Sequence, residues 1–300
     1  MTTSREITIE EIIARYPVLL LDAYGVLVNN SGAIPGAAGF IGELNRICKP
    51  YYLLTNDASK LPRTAASRYQ SYGLEIDPDR IITSGGLLKN YFKTHHLAGA
   101  RCAVLGPDDS AWYVRDAGGE VVSPANGFDV VVIGDEDGYP FVETVDIVLT
   151  ELFHKVQRRE KFNLVLPNPD LIYPKADRGF GITSGSIALI FEAALQLRYP
   201  GRPDLRFERL GKPNADIFQE ALRRSGTENM VMIGDQLETD IHGANTFGLD
   251  SVLVGTGITD LWVGNIPQHL QPTYRLGSIE LGQRESGKDT EERISKSQEI

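Results

Sequence analysis

Four short stretches of this 300-residue chain hold the residue types from which a phosphoryl-transfer site can be built. Asp22-Ala23-Tyr24 follows an apolar run at 18–21, and Thr55-Asn56-Asp57 follows one at 51–54. Gly211-Lys212-Pro213 follows a run at 207–210, and Gly234-Asp235, running on to Thr239-Asp240, follows one at 230–233. Carboxylate oxygens suit a hard Mg²⁺ ion, which prefers octahedral oxygen coordination. A lysine and the backbone amides at helix starts suit phosphate oxygens. Magnesium, a lysine and a carboxylate nucleophile together can transfer a phosphoryl group through an aspartyl-phosphate. Each piece also has a plainer use. A Gly-Asp pair turns a chain, Lys212 beside Pro213 can be a solvated helix start, and Thr55 can cap a helix. Four such stretches in order, each at the end of a strand-like stretch, are hard to attribute to turns alone.

Those side chains converge only if the runs are strands whose ends share one edge of one sheet. Apolar runs alternate with helically spaced stretches along most of the chain, which predicts an α/β fold with a doubly wound, Rossmann-like parallel sheet. Within it, 84–183 carries a strand–helix set of its own, with strands at 102–105, 130–133 and 162–166 and helices at 109–117 and 145–156. This segment reads as an inserted α/β cap domain, and 1–83 with 184–281 reads as the core. Residues 282–300 are charged and nearly without apolar spacing, which reads as a flexible tail.

The four motifs resemble those of the haloacid dehalogenase superfamily of hydrolases. Asp22 stands where that superfamily has its nucleophile, and Thr55 where it has its phosphate-binding hydroxyl. Lys212 matches its third motif, and Gly234-Asp235 with Asp240 matches its metal-binding fourth. The position and α/β character of the insert resemble the class IIA branch, as do Asn168-Pro169-Asp170 and the 181–186 segment at its return. The resemblance implies Mg²⁺-dependent hydrolysis of a small phosphorylated metabolite. Asp22, the Tyr24 carbonyl, Asp235 and Asp240 would serve the metal, while Thr55, Asn56 and Lys212 neutralise phosphate oxygens. The insert would cover the pocket and select the substrate.

The sequence departs from that pattern at two places. Relatives usually carry a second aspartate two residues after the nucleophile, as general acid and then base; here the residue is Tyr24. A phenol near its ordinary pKa of about 10 can donate a proton but is a poor base at neutral pH. This leaves a catalytically impaired phosphate-ester binding protein as an alternative. The Asp-Ala-Tyr-Gly string also resembles the first motif of metal-free 2-haloacid dehalogenases, although Asp235 and the long insert argue against that reading. The second departure is Asp57, where relatives often have asparagine. It could stand in for the missing acid/base, or simply cap the helix that follows.

Other residues invite less. A formal net charge of −10 argues against a general nucleic-acid or anionic-membrane surface. His95 and His96 are adjacent rather than spaced for a metal, and His154 and His242 read as structural. Lys175 and Arg178 could contact an anionic substrate. Cys48 and Cys102 lack metal-type spacing and read as small buried hydrophobes in a reducing compartment. With no signal-peptide core and no membrane-length apolar run, the chain is expected to be cytoplasmic. A homodimer through the insert is compatible with the sequence, though no apolar stripe specifies one.

Overall fold

The computed structural model describes residues 4–174, 179–262 and 264–282. Seven strands form one sheet in the order Arg5–Glu6, Tyr274–Leu276, Asp250–Val254, Met230–Gly234, Val18–Leu21, Tyr51–Thr55 and Ile81–Thr83. Every pairing is parallel. The α/β core expected from the alternating runs is therefore present. Val18–Leu21 lies between Met230–Gly234 and Tyr51–Thr55, so the strand order reverses at the end of the strand that leads into Asp22. A crevice opens at such a switch point, outside the carboxyl ends of the strands.

The strands are apolar on both faces, as a covered parallel sheet requires. Leu19 and Leu21 enter one buried cluster with Ile9, Ile12, Phe40, Leu53 and Ile233. Val18 and Leu20 enter another with Leu54, Ile82, Met232 and Phe218. The helix Ile9–Arg15 that covers the first face starts at a capping box, in which Glu11 N–H donates to the Thr8 hydroxyl and Thr8 N–H to the Glu11 carboxylate.

A second, five-stranded parallel sheet has the order Glu208–Arg209, Asn163–Leu166, Val130–Ile133, Arg101–Leu105 and Glu120–Val121. Its elements do not stop at residue 183. The helix Ser184–Arg198 buries Ile187, Ala188, Phe191 and Leu195 against Val131, Ile133 and Leu166 of this sheet. The strand leading to Lys212 is also part of it, which corrects the expectation that all four motifs end strands of one sheet. Glu208–Arg209 pairs with Val165–Leu166, and Leu210 N–H then donates to Leu166 O at 3.1 Å. Lys212 thus reaches the crevice from the second sheet, while the other motifs reach it from the first.

The two sheets share a core. Cys102, Val130, Val132 and Val165 join the same buried cluster as Val18 and Leu20, with Leu88, Phe92 and Ile217 from intervening helices. Polar contacts add to this. From the helix Asp108–Asp116, Asp109 accepts from Leu61 N–H at 2.9 Å, the Ser110 hydroxyl donates to Ala58 O at 2.7 Å, and the Tyr113 hydroxyl donates to Lys60 O at 2.7 Å. The loop after Thr55 is therefore held by the second sheet.

Cys102 is buried, but Cys48 is exposed, because it follows the helix Ala37–Arg46 in a left-handed turn at φ 54°. No described helix is long and apolar enough to cross a membrane. The charged segment expected to be a tail lies, from 283 onward, outside the described residues.

Candidate active site

Adjacent parallel strands deliver the carboxylates side by side. Asp22 follows Val18–Leu21 and donates its N–H to Ile233 O at 2.9 Å, while Asp235 follows the neighbouring Met230–Gly234. Beyond Asp235 the chain makes one widened turn, Leu237–Ile241, in which Ile241 N–H reaches back to Gln236 O at 3.2 Å. That turn leads into the helix His242–Phe247 and folds Asp240 back over Gly234. A Cβ on Gly234 would overlap the Asp240 side chain. The Asp240 carboxylate accepts from Asp235 N–H and Gln236 N–H, both at 3.1 Å.

Lys212 closes the group. Its ammonium donates to Asp22 Oδ1 at 2.6 Å and to Asp240 Oδ1 at 2.7 Å, and all three side chains are buried. Asp235 accepts from Ile258 N–H at 2.8 Å on one oxygen, while its buried Oδ1 has no partner among the described residues. Gly25, at φ 87°, permits this crowding, since a side chain there would overlap the Asp235 carboxylate. Burial raises the Asp22 carboxyl to about 7, against the pull of the Lys212 ammonium. Burial, then Asp22 and Asp240, raise Asp235 well above the usual carboxylate range. Burial alone would lower Lys212, but Asp22 and Asp240 outweigh it and raise the ammonium.

Asp22, Asp235 and Asp240 each bring a carboxylate oxygen within 4.8 Å of the others. Three buried carboxylates with one oxygen orphaned make a poor resting place for unpaired charge and a fitting one for a hard divalent cation. In front of them lies a cavity of about 410 Å³, lined from the first sheet by Asp22, Tyr24, Thr55 and Asn56 and from the second by Asp135, Glu136 and Asp170. Carboxylates, an ammonium and a candidate cation site at one cavity floor are groups that can together engage a phosphate ester.

Residues 19–120 match the family described as haloacid dehalogenase-like hydrolase, and 209–277 match a second HAD-hydrolase-like family. The chain is 30% identical over 263 residues to a dihydroxyacetone phosphatase of Corynebacterium glutamicum, an alignment covering 87% of this chain and 88% of that one. The chain belongs to the haloacid dehalogenase-like hydrolases, in their class IIA branch. An acid sugar phosphatase of Staphylococcus epidermidis is 27% identical over 271 residues, covering 89% of this chain and 96% of its own. A crystal structure of a possible sugar phosphatase from Cytophaga hutchinsonii superposes with a TM-score of 0.78 at 28% identity, covering 93% of this chain and 100% of that one.

Around this hydrolase centre the remaining expected residues divide. Thr55 ends its strand at the cavity wall, and its hydroxyl accepts from Asp57 N–H at 3.3 Å. Asn56 brackets Lys212, accepting from its N–H at 2.8 Å and donating to its carbonyl at 3.0 Å. Asn168 and Asp170 also border the cavity, and Asp170 N–H donates to Asn168 Oδ1 at 3.0 Å. Asp57 borders it too, but its Oδ1 is taken by Ser59 N–H at 2.7 Å, the Ser59 hydroxyl at 2.8 Å and Lys60 N–H at 3.1 Å. Those bonds close the turn before the helix Pro62–Ser71, whose N-cap is Leu61 with no side-chain cap, so Asp57 stabilises a turn and does not cap that helix. The Tyr24 hydroxyl is bonded to the Asn30 side chain, and burial raises the phenol above its ordinary value, so it stays neutral.

No histidine borders this cavity among the described residues. His95 stacks on Tyr91 at 3.9 Å, His154 lies 3.6 Å from Glu151, and His242 packs edge-on to His269. Lys175 and Arg178 lie outside the described residues. Asp135, Glu136, Lys60 and Arg68 border the cavity and were not anticipated. A signal for the first pair was present, because Ile133-Gly134-Asp135 repeats Ile233-Gly234-Asp235 at the end of another apolar run.

Proposed function

We propose that this hydrolase cleaves a small-molecule phosphomonoester through a phosphorylated Asp22, with Mg²⁺ as cofactor. The observation that carries the reading is the Lys212 ammonium held between Asp22 and Asp240 with the orphaned Asp235 oxygen behind them. The relatives named as sugar and dihydroxyacetone phosphatases support the substrate class. Asp22, the Tyr24 carbonyl and Asp235 would hold the ion, with Asp240 behind them. When bound, the ion neutralises phosphate charge and the mutual repulsion of the carboxylates.

The chain's own residues do the rest. An Asp22 oxygen forms a bond to phosphorus as the ester P–O bond breaks, and the leaving alkoxide takes up a proton. Lys212, Thr55 and the backbone at Asn56 stabilise the transferring oxygens, and Asp240 keeps Lys212 aimed. Water then attacks phosphorus, releasing phosphate and restoring the Asp22 carboxylate. Tyr24 can donate a proton in the first half but is a weak base for the second. General acid–base help is worth roughly 10²- to 10⁴-fold, so turnover is slowed most for leaving groups that need protonation. The second sheet, with the 84–183 insert as its body, acts as the cap, and a cytoplasmic location suits a phosphorylated metabolite.

One assay series tests this: an aryl phosphate, an alkyl phosphate and a 2-haloacid, each with and without Mg²⁺. The reading expects Mg²⁺-dependent turnover of phosphate esters, faster for aryl than alkyl, and none of the haloacid. Binding of phosphate without turnover of either ester would favour the binding-protein alternative, which the occupied Tyr24 hydroxyl supports.

A further inference from the structure

Lys212 is held at both ends. Its ammonium is fixed by Asp22 and Asp240, and its backbone by the Asn56 amide through N–H and carbonyl alike. Gly211 makes this embrace possible, because a Cβ there would overlap Asn56 Oδ1. An asparagine amide is nearly symmetric in shape and opposite in chemistry across its two ends. Turned over, Asn56 would set its NH₂ against Lys212 N–H and its oxygen against the Lys212 carbonyl. The remaining Asn56 Nδ2 hydrogen goes to Asp170 Oδ1 at 2.8 Å.

Asp170 is itself clamped. Its carbonyl accepts from Gly185 N–H at 3.0 Å and from the Thr183 hydroxyl, at the start of the helix Ser184–Arg198. Gly185 carries no side chain because a Cβ would overlap the carbonyls of Pro169 and Asp170. Burial raises the Asp170 carboxyl to about 6, against the pull of Lys212 and the Asn56 hydrogen bond, and its Oδ1 stands as the acceptor of the Asn56 NH₂. A fixed acceptor at this place admits one orientation of the Asn56 amide and penalises the other.

We propose that Asp170 is a positioning residue for the reaction: through the Asn56 amide it sets the backbone of Lys212, and so the place of the ammonium beside Asp22 and the transferring phosphoryl group. The proposal rests on the reading of Lys212 as the phosphate lysine. It makes the segment returning from the second sheet part of the catalytic apparatus, although Asp170 forms no bond to the reacting atoms.

The test compares Asp170→Ala, Asp170→Asn and the pair Asn56→Asp with Asn56→Asp/Asp170→Asn, using an aryl phosphate with Mg²⁺. Misplacing a catalytic group by about an ångström costs on the order of 10²-fold, so Asp170→Ala should lower kcat by roughly 10- to 100-fold with KM changed less than about threefold. Affinity for orthovanadate, which mimics the five-coordinate transition state, should fall with kcat, while affinity for inorganic phosphate falls less. Asp170→Asn can still offer its oxygen to Asn56 and should keep most of the activity. Should Asp170→Ala fail to fold, the swapped pair decides. Asn56→Asp sets carboxylate against carboxylate and also removes the donor to the Lys212 carbonyl; adding Asp170→Asn restores the first contact and not the second, so the double variant should recover at least about threefold over the single one while staying below the parent. Unchanged kcat and vanadate affinity in Asp170→Ala, or no recovery in the double variant, would overturn the proposal. Lys212→Met is the separate control: if it still binds phosphate and vanadate as the parent does, the role given to Lys212 is what fails.

Discussion

Two strands of this molecule end in the same tripeptide, one in each sheet. Ile233-Gly234-Asp235 closes a strand of the seven-stranded sheet, and Ile133-Gly134-Asp135 a strand of the five-stranded one. In both, the glycine makes room for a neighbour, Asp240 at Gly234 and Ser110 at Gly134. Their company then differs. Asp235 is fully buried beside Asp22 and Asp240, with one oxygen left without a partner among the described residues. Asp135 is only half-buried, accepts from Glu136 N–H at 2.7 Å, and stands near enough to the Glu136 carboxyl to raise it. The tripeptide fixes where a carboxylate stands at a strand end. The neighbours decide whether it can hold a cation.

That contrast can be broken experimentally, and the largest effect is expected at the carboxylates themselves. Asp235→Asn should lower Mg²⁺-dependent turnover by roughly 10²- to 10³-fold or more, the scale of losing one group that stabilises transition-state charge, whereas Asp135→Asn should stay within about tenfold. Steady-state kinetics over a Mg²⁺ titration separates the two, and equal losses would erase the distinction. The glycines should separate next. A methyl group at either overpacks its neighbour at a cost of about 1–3 kcal/mol. Gly234→Ala should also cut kcat, by moving Asp240 off Lys212, while Gly134→Ala should lower stability in urea and leave kcat of the folded protein nearly intact.

Smaller effects probe how the second sheet holds the loop after Thr55. Ser110→Ala and Tyr113→Phe each leave a carbonyl of that loop without its donor, at a cost of about 1 kcal/mol apiece in urea unfolding. The smallest effect concerns pH. Burial, then Asp135, raise the Glu136 carboxyl to about 8. A carboxyl whose folded value lies above its unfolded one lends stability at low pH and loses it as pH rises through the folded value. Glu136→Gln should therefore become progressively more stable relative to the parent between about pH 5 and about pH 9, read as a difference in Tm. A difference that does not change with pH would remove Glu136 from the account.

Much of the site was legible because strand ends mark themselves. An apolar run stopping at Asp22, Thr55 or Asp235 announces both the sheet edge and the chemistry placed on it. Lys212 was legible as chemistry but not as topology, since nothing in 207–210 says which sheet the short strand joins. That is settled by its pairing with Val165–Leu166, a contact distant in sequence. The side on which the helix after the 84–183 segment packs was hidden for a related reason. The helix Ser184–Arg198 is apolar enough to cover either sheet, and only packing against Val131 and Leu166 assigns it. Asp57 carries two competing roles in the sequence because its turn bonds to Ser59 and Lys60 depend on backbone direction rather than residue type. Asp135 and Glu136 went unnoticed although the tripeptide was repeated, since a second sheet facing the same cavity is a property of the assembled fold.

The central claim is that Asp22 carries the phosphoryl group, and it can be tested by catching it there. The protein is mixed with an aryl phosphate and Mg²⁺, quenched in acid during turnover, digested and examined by mass spectrometry. The account predicts phosphate on the peptide bearing Asp22, absent from Asp22→Asn and accumulating because Tyr24 is a poor base for the second step. Turnover that continues in Asp22→Asn, or phosphate found on another side chain, would contradict it.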